Sequence, residues 1–469
     1  MSNPSASAQT EFEIKLEVPA ARRAVVQAAV ATATAQRTHL QAVYFDTADG
    51  RLAAAGVALL LRREGPRWVQ TLKAQGALGA QAVQRLEHNV PVMARGRGIP
   101  ALDLARHAGS AAGEVLAAVL QPQPGETAAP ALIDQYRTDI WRTHRVLRVP
   151  GGSVELAFDI GRILAQDGEC PVCELEIELL SGPPQVVIDV ARRWAARHGL
   201  WLDVRSQAER GELLARGLEV GPVRKARRVQ LQPGLSAGRA LQAVVGACLA
   251  QILANASALA SGRYGDEHVH QLRVALRRLR SALRLFRGWT VPLDPAVVEG
   301  LAGWFRQLGA VRDQAALAAA VSPALQAAGA PVHLLPPDLA ESPDPAALAR
   351  SPEVTQWLLA LLAFILAAPV EAENERVDLS QRLAARLQRW HRELQHQGRR
   401  FEGLDEATRH ALRKRAKRLR YGVEFAAALL APKATRRYLK QLAELQDVLG
   451  RYADLSLALT HLGTAQQEL

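Results

Sequence analysis

Along the first two hundred residues, hydrophobic and polar positions alternate with a period of two, the signature of half-buried β-strands. The alternation predicts strands at Glu11–Val18, Gln41–Asp46, Val57–Arg63, Trp68–Ala74, Leu86–Pro91, Asp139–Val149, Ser153–Gln166 and Val172–Leu180. Turn signals at Gly65-Pro66 and Gly151-Gly152 punctuate them. Helices are expected at Ala20–Ala35, Leu102–Leu120 and Pro184–His198. Many antiparallel strands with few helices predict a closed barrel.

Beyond residue 237 the apolar positions recur at helical spacing in an Ala/Leu/Arg-rich chain, broken chiefly by the proline-rich stretch Ala330–Pro352, an expected long loop. The segment 217–236, with Gly221-Pro222 and Pro233-Gly234, has linker composition. The expected class is therefore α+β: an antiparallel β-barrel over 1–216, a linker over 217–236, and an all-α helical bundle over 237–469. The bundle is expected to contain a two-fold internal repeat, because one pattern occurs twice, 140 residues apart. His270, Arg273, Arg277, Arg278 and Arg280 recur as His410, Arg413, Lys417, Arg418 and Arg420, and Leu308-Gly309 followed by Asp313 recurs as Leu449-Gly450 followed by Asp454. The repeats are placed at about 237–330 and 353–469.

At about 100° per residue, His270, Arg273, Arg277, Arg280 and Arg284 fall within an arc of roughly 80°, with Leu272, Leu276, Leu279 and Leu283 on the other side. The second copy sets His410, Arg413, Lys417 and Arg420 over Leu412, Ala416, Leu419 and Val423, and Glu424 ends the stripe. A single charged helix face is usually just a solvated surface. Two in register, without interleaved carboxylates, repel themselves unless an anion lies among them, and the guanidinium fork suits phosphate. Each histidine could add a donor that becomes cationic in mild acid.

Charge locates this site. Residues 1–220 carry 24 Lys+Arg and 24 Asp+Glu; of the totals 58 and 46 this leaves 34 and 22, so the whole net charge of +12 lies in 221–469. Nucleic acid is disfavoured as the polyanion because aromatics form only 5% of the chain and none falls on the basic stripes. Three cysteines exclude a disulfide framework, and Cys170-Pro171-Val172-Cys173 lacks a second pair to complete a zinc site. The longest apolar run noted, Trp357–Val370, is too short to span a bilayer, and the start has no signal-peptide core, so a cytoplasmic protein is expected.

In the strand Glu11-Phe12-Glu13-Ile14-Lys15-Leu16-Glu17 all charges share one parity, and Glu174, Glu176 and Glu178 do the same in a later strand. Stacked carboxylates on an inward face need cations, and Arg62, Lys73, Arg85, Arg142 and Arg210 occur on or beside other strand candidates. An acidic wall opposite a basic one suits a metal-bound oligophosphate.

These elements carry a resemblance. Glu11-x-Glu13-x-Lys15, Tyr44-Phe45-Asp46-Thr47, Thr71-Leu72-Lys73, Arg85-x-Glu87, Asp159 and Glu174-x-Glu176-x-Glu178 resemble, in this order, the CYTH domain or triphosphate tunnel metalloenzyme family. Residues 237–469 resemble the CHAD domain, the conserved-histidine α-helical domain, through both His/Arg helices and both Leu-Gly-to-Asp segments. The resemblance implies an eight-stranded tunnel that hydrolyses inorganic triphosphate or short-chain polyphosphate with Mg²⁺ or Mn²⁺, joined to a module that binds long-chain polyphosphate and associates with polyphosphate granules. It implies that Glu11, Glu13, Asp159, Glu174 and Glu176 hold the metal and that Lys15, Arg62, Lys73, Arg85, Arg142 and Arg210 grip substrate, with Lys15, Glu13 and Glu176 nearest catalysis. Two positions depart from the family pattern: Leu60 stands where arginine is usual and Gln207 where lysine is usual. Loss of both cations implies an attenuated triphosphatase, and the alternative is a non-catalytic polyphosphate-binding protein with a decayed tunnel.

Overall fold

A computed structural model describes residues 9–75, 84–93, 98–166, 168–309, 343–369 and 378–467. It divides into two compact units, one of residues 1–223, 256–265 and 349–366, the other of 224–255, 266–348 and 367–469.

The first unit contains one antiparallel sheet: β1 (Gln9–Glu17), β2 (Gln36–Thr47), β3 (Val57–Glu64), β4 (Arg67–Gln75), β5 (Gln84–Val92), β6 (Leu132–Val149), β7 (Gly152–Ala165) and β8 (Gly168–Ser181), with a two-residue β9 (Trp201–Leu202). The order is β5-β4-β3-β2-β6-β7-β8-β1-β9, and β1 also pairs with β5. That last pairing closes the eight expected strands into a ring and leaves β9 as an appended ninth, which the alternation could not reveal in so short a segment. β2 and β6 begin earlier than expected, because Gln36–Thr38 and Asp134–Gln135 interrupt the hydrophobic alternation. Both strands are held there by ladder pairs such as Thr38 with Arg142 and Phe45 with Asp134.

Parity divides the barrel wall. Ile14, Leu16, Leu175 and Ile177 are fully buried on the outer side, where α4 (Gln185–His198) packs on β1, β7 and β8. The helix is stopped at Gly199, whose left-handed φ of 66° suits glycine. A second outer cluster joins Leu59 and Leu72 to Leu116 of α3 (Ala111–Val119) and Leu52 of α2 (Arg51–Ala54). Also in this unit, α10 (Pro352–Leu366) lies on α4, with Arg192 donating to the Gln356 side chain at 3.1 Å.

One element escaped the periodicity. α5 (Gln207–Ala215) starts at a capping box, in which Ser206 Oγ accepts from Glu209 N at 3.1 Å and Glu209 Oε2 accepts from Ser206 N at 2.8 Å. It seats against the barrel through Gly211, where a Cβ would lie 2.2 Å from the Tyr136 ring. Arg210, expected on or beside a strand, is therefore on a helix.

In the second unit the described helices are α6 (Ala237–Ala260), α7 (Asp266–Leu285), α8 (described over 295–309), α9 (Pro345–Ala349), α11 (Leu379–Gly398), α12 (Glu406–Ala426) and α13 (Pro432–Gln467), although the end of α6 and the last residue of α9 belong to the first unit. α12 packs against α7, α11 and α13. α6, not the run at Trp357–Val370, is the long apolar segment: by length and composition it could cross a membrane, and 78% of its most apolar stretch is buried inside the protein. Its amides make internal bonds, Gln251 Nε2 to Gln271 Oε1 at 2.9 Å and Asn255 Nδ2 to Arg224 O at 2.9 Å.

Candidate active site and polyanion surface

The carboxylates of Asp159, Glu174 and Glu176 each place an oxygen within 4.8 Å of the others. Asp159 on β7 lies opposite both Arg142 on β6 and Glu174 on β8, so three adjacent strands present one polar layer to the lumen. Three hard oxygen donors, two of them buried, fit a divalent cation such as Mg²⁺ or Mn²⁺. Arg142 spans the cluster, giving Asp159 parallel hydrogen bonds of 2.8 and 2.7 Å and Glu176 one of 2.5 Å. Burial nonetheless pushes the Asp159 carboxyl up to about 6, against the pull of Arg142. Glu174 behaves oppositely: burial works against its charge, but Arg210, Lys15 and the Gln207 hydrogen bond outweigh it and hold its pKa below the usual carboxylate value.

Among the described residues, the cations expected to grip phosphate are each seated on a carboxylate. Lys15 Nζ is 3.5 Å from Glu174 and donates to Arg205 O. Lys73 pairs with Glu87 at 2.5 Å, Arg62 with Glu64 at 2.7 Å, and Arg210 bonds Glu174 while reaching Glu17 at 3.9 Å. Burial disfavours the Glu87 anion, yet Lys73 dominates and brings its carboxyl down to about 2. Glu13 faces inward opposite Glu178 in the β1–β8 ladder, outside the three-carboxylate cluster. Glu178 is raised by burial and by the neighbouring Glu155 and Glu13. Glu11 and Arg85 are partners across β1–β5, and their side chains lie outside the described residues.

Four further participants were not among the expected site residues. Glu17 shares the parity of Glu13 and was readable as an inward charge; burial pushes it up to about 7. Glu87 stood in the family motif. Asp203, held down by the Arg205 guanidinium despite its burial, follows β9 in a segment with no period. Gln207 donates to Glu174 at 2.7 Å and Asp159 at 3.3 Å, occupying the position where a lysine would stand. Leu60 does share the inward face of Arg62, but the lumen there is apolar: Leu60, Tyr44, Tyr136, Ile140, Ile163 and Val172 form one buried cluster.

In the second unit the basic stripe of α7 is partly sunk into the fold. Arg273 and Arg278 are buried, Arg277 and Arg280 half-buried, and Arg284 exposed. Arg273, Arg277 and Arg280 surround the Phe305 ring with guanidinium carbons 5.3, 5.6 and 5.5 Å from its centroid. The stripes, free of aromatics in sequence, thus acquire one through tertiary packing, and Tyr421, Phe425 and Trp390 likewise underlie Arg278 and Arg418. Glu424 joins the two helices, accepting from Arg278 at 2.5 Å and pairing with Arg420 at 3.1 Å. Arg273 Nη2 would meet a Cβ at Gly309 at 3.1 Å, and Arg413 Nη2 one at Gly450 at 3.8 Å, so each Leu-Gly segment leaves room for its arginine. His270 is half-buried, His410 exposed, and Lys417 half-buried on α12. Asp313 and the Asp454 side chain lie outside the described residues.

Residues 9–211 match the CYTH domain model and residues 243–463 the CHAD domain model. An inorganic triphosphatase of Haemophilus influenzae is 28% identical over 186 residues, which are 38% of this chain and 47% of that protein. The chain thus spans about half the length of that curated relative. Among solved structures, the CHAD domain of the plant Ricinus communis is 30% identical, with 53% of this chain and 85% of that chain covered and a TM-score of 0.43. HpAC1 from Hippeastrum, described as having a dominant triphosphatase activity, is 18% identical over 44% of this chain and 96% of its own, with a TM-score of 0.30.

Proposed function

We propose that this chain, a CYTH domain followed by a CHAD domain, hydrolyses inorganic triphosphate or short polyphosphate in its barrel and binds long-chain polyphosphate on its helical unit. The observation that carries the hydrolase reading is the cluster Asp159, Glu174 and Glu176 inside a closed barrel whose inward positions also hold Lys15, Arg62, Lys73 and Arg142.

Asp159, Glu174 and Glu176 would hold a divalent ion, with Glu13 farther along the lumen; a bound ion would polarise phosphoryl oxygens and offset their charge. The chain's own residues do the positioning. Lys73 and Arg62 bind and align phosphate oxygens, exchanging Glu87 and Glu64 for substrate. Arg142 stays with the cluster, so its charge remains beside the carboxylates and the phosphoryl group that reacts. Water is the nucleophile, oriented by Lys15 Nζ next to Glu174. Phosphoryl transfer of this kind rests on alignment and charge stabilisation, which a preformed polar lumen supplies.

The polyphosphate reading is supported by the two paired arginine helices and by the location of all net positive charge in residues 221–469. The deciding experiment measures phosphate release from tripolyphosphate, ATP and long-chain polyphosphate, with a divalent metal and with chelator. Tripolyphosphate turnover that needs metal and disappears in Glu176→Ala is expected. Turnover equal in chelator, or retained in that variant, would overturn the barrel assignment.

A further inference from the structure

On the outer wall of the barrel, a cavity of about 280 Å³ is lined by residues of β6 and α4. Arg145 lies on β6 at the parity opposite to Arg142, so it faces away from the lumen. On α4, Val190, Arg193, Trp194 and Arg197 follow the i, i+3, i+4, i+7 spacing of one helix face. The cavity therefore gathers three guanidiniums and one indole over an aliphatic floor of Leu147 and Val190.

The guanidiniums lack carboxylate partners among the described residues. Arg145 Nη2 makes a long bond to Ala29 O at 3.4 Å, and its Nε is buried with no acceptor. Arg193 Nε donates only to a backbone oxygen, Asp189 O, at 3.2 Å. Arg193 and Arg197 are exposed and Trp194 is half-buried. Three unneutralised forks favour a phosphate, and an indole with aliphatic neighbours favours a flat ring. The volume is close to the lower end of ligand pockets, roughly 300–1,000 Å³, so the occupant is a small molecule and not a polymer.

We propose that this pocket binds a nucleoside monophosphate, its base against Trp194 and its phosphate among Arg145, Arg193 and Arg197. The site is separate from the tunnel and does not depend on the hydrolase reading.

The test is calorimetry on the full chain in chelator, with AMP, adenosine and inorganic phosphate as probes. One AMP per chain is expected, with adenosine and inorganic phosphate each at least tenfold weaker. Arg193→Ala/Arg197→Ala, both exposed and so harmless to folding, should weaken AMP at least tenfold, and so should Trp194→Ala. The tunnel variant Lys73→Ala/Arg62→Ala should leave it unchanged. Absence of AMP binding, inorganic phosphate binding as tightly as AMP, or AMP affinity that survives the double arginine variant or is lost in the tunnel variant would each overturn the proposal.

Discussion

Leu60 lies directly across the β2–β3 ladder from Tyr44, and both are buried in the apolar end of the lumen. Tyr44 in turn stacks on Tyr136 with ring centroids 4.6 Å apart. The resemblance makes arginine the usual residue at 60, which on its own would make Leu60→Arg a gain of substrate contact. The packing predicts the reverse: a guanidinium there has no carboxylate opposite it, and an unpaired buried charge costs about 3 kcal/mol or more. Urea unfolding should show that loss, with triphosphate turnover no higher than in the parent.

Gln207→Lys has a different outcome because its surroundings are polar. The amide already touches Glu174 and Asp159, so a lysine enters a site built for charge. We expect kcat/KM for tripolyphosphate to rise about tenfold, the value of one charge-assisted hydrogen bond of about 1.5 kcal/mol. An unchanged or lower kcat/KM would show that Arg210, which sits on the same carboxylate, already supplies that charge.

For the helical unit, Arg273→Ala/Arg413→Ala should weaken long-chain polyphosphate binding far more than two arginines removed elsewhere. Arg382 and Arg386 are poor controls: both stack on Trp289, and Arg386 Nη1 donates to Leu285 O and Arg287 O at 2.8 Å, capping the end of α7. The exposed Arg392 and Arg400 serve instead. Affinity should fall steeply with salt, as for other polyanions. Equal losses from both pairs would leave only diffuse electrostatics.

Glu424 pairs with both Arg278 and Arg420, and in the proposed polyphosphate complex it would compete with phosphate for them. Glu424→Gln should therefore tighten polyphosphate binding several-fold and flatten nothing else in the titration; a weaker complex would mean that Glu424 orders the arginines for the ligand.

A pH effect is expected at the outer wall. His107 is buried against His88, with Nδ1 atoms 2.9 Å apart, and burial together with the His88 charge lowers its pKa to about 4. Because the unfolded chain keeps a value near 6.5, it binds more protons than the fold between about pH 4 and 6.5, and stability rises with pH across that window. Acidification through it should cost on the order of 3 kcal/mol. Denaturant midpoints measured from pH 7 to pH 4 should show a slope that is smaller in His107→Gln.

Much of this protein is legible in its sequence. Alternation placed the strands and gave Glu13 and Lys15 one parity in β1 and Glu174 and Glu176 one parity in β8, because side-chain direction in a strand follows from the local backbone. Helical spacing likewise produced the two arginine stripes, and a count of charges placed the whole net charge of +12 in residues 221–469, which contain them. What tertiary structure alone decided is which groups meet. That Arg210 and Gln207 are delivered to Glu174 by α5, that Lys15 shares that carboxylate, that Phe305 stands among three arginines, and that Glu424 ties α12 to α7 are contacts between residues far apart in sequence. No local period encodes such partners: they are selected when the ring closes and the helices pack, where burial forces each charge to find an opposite one.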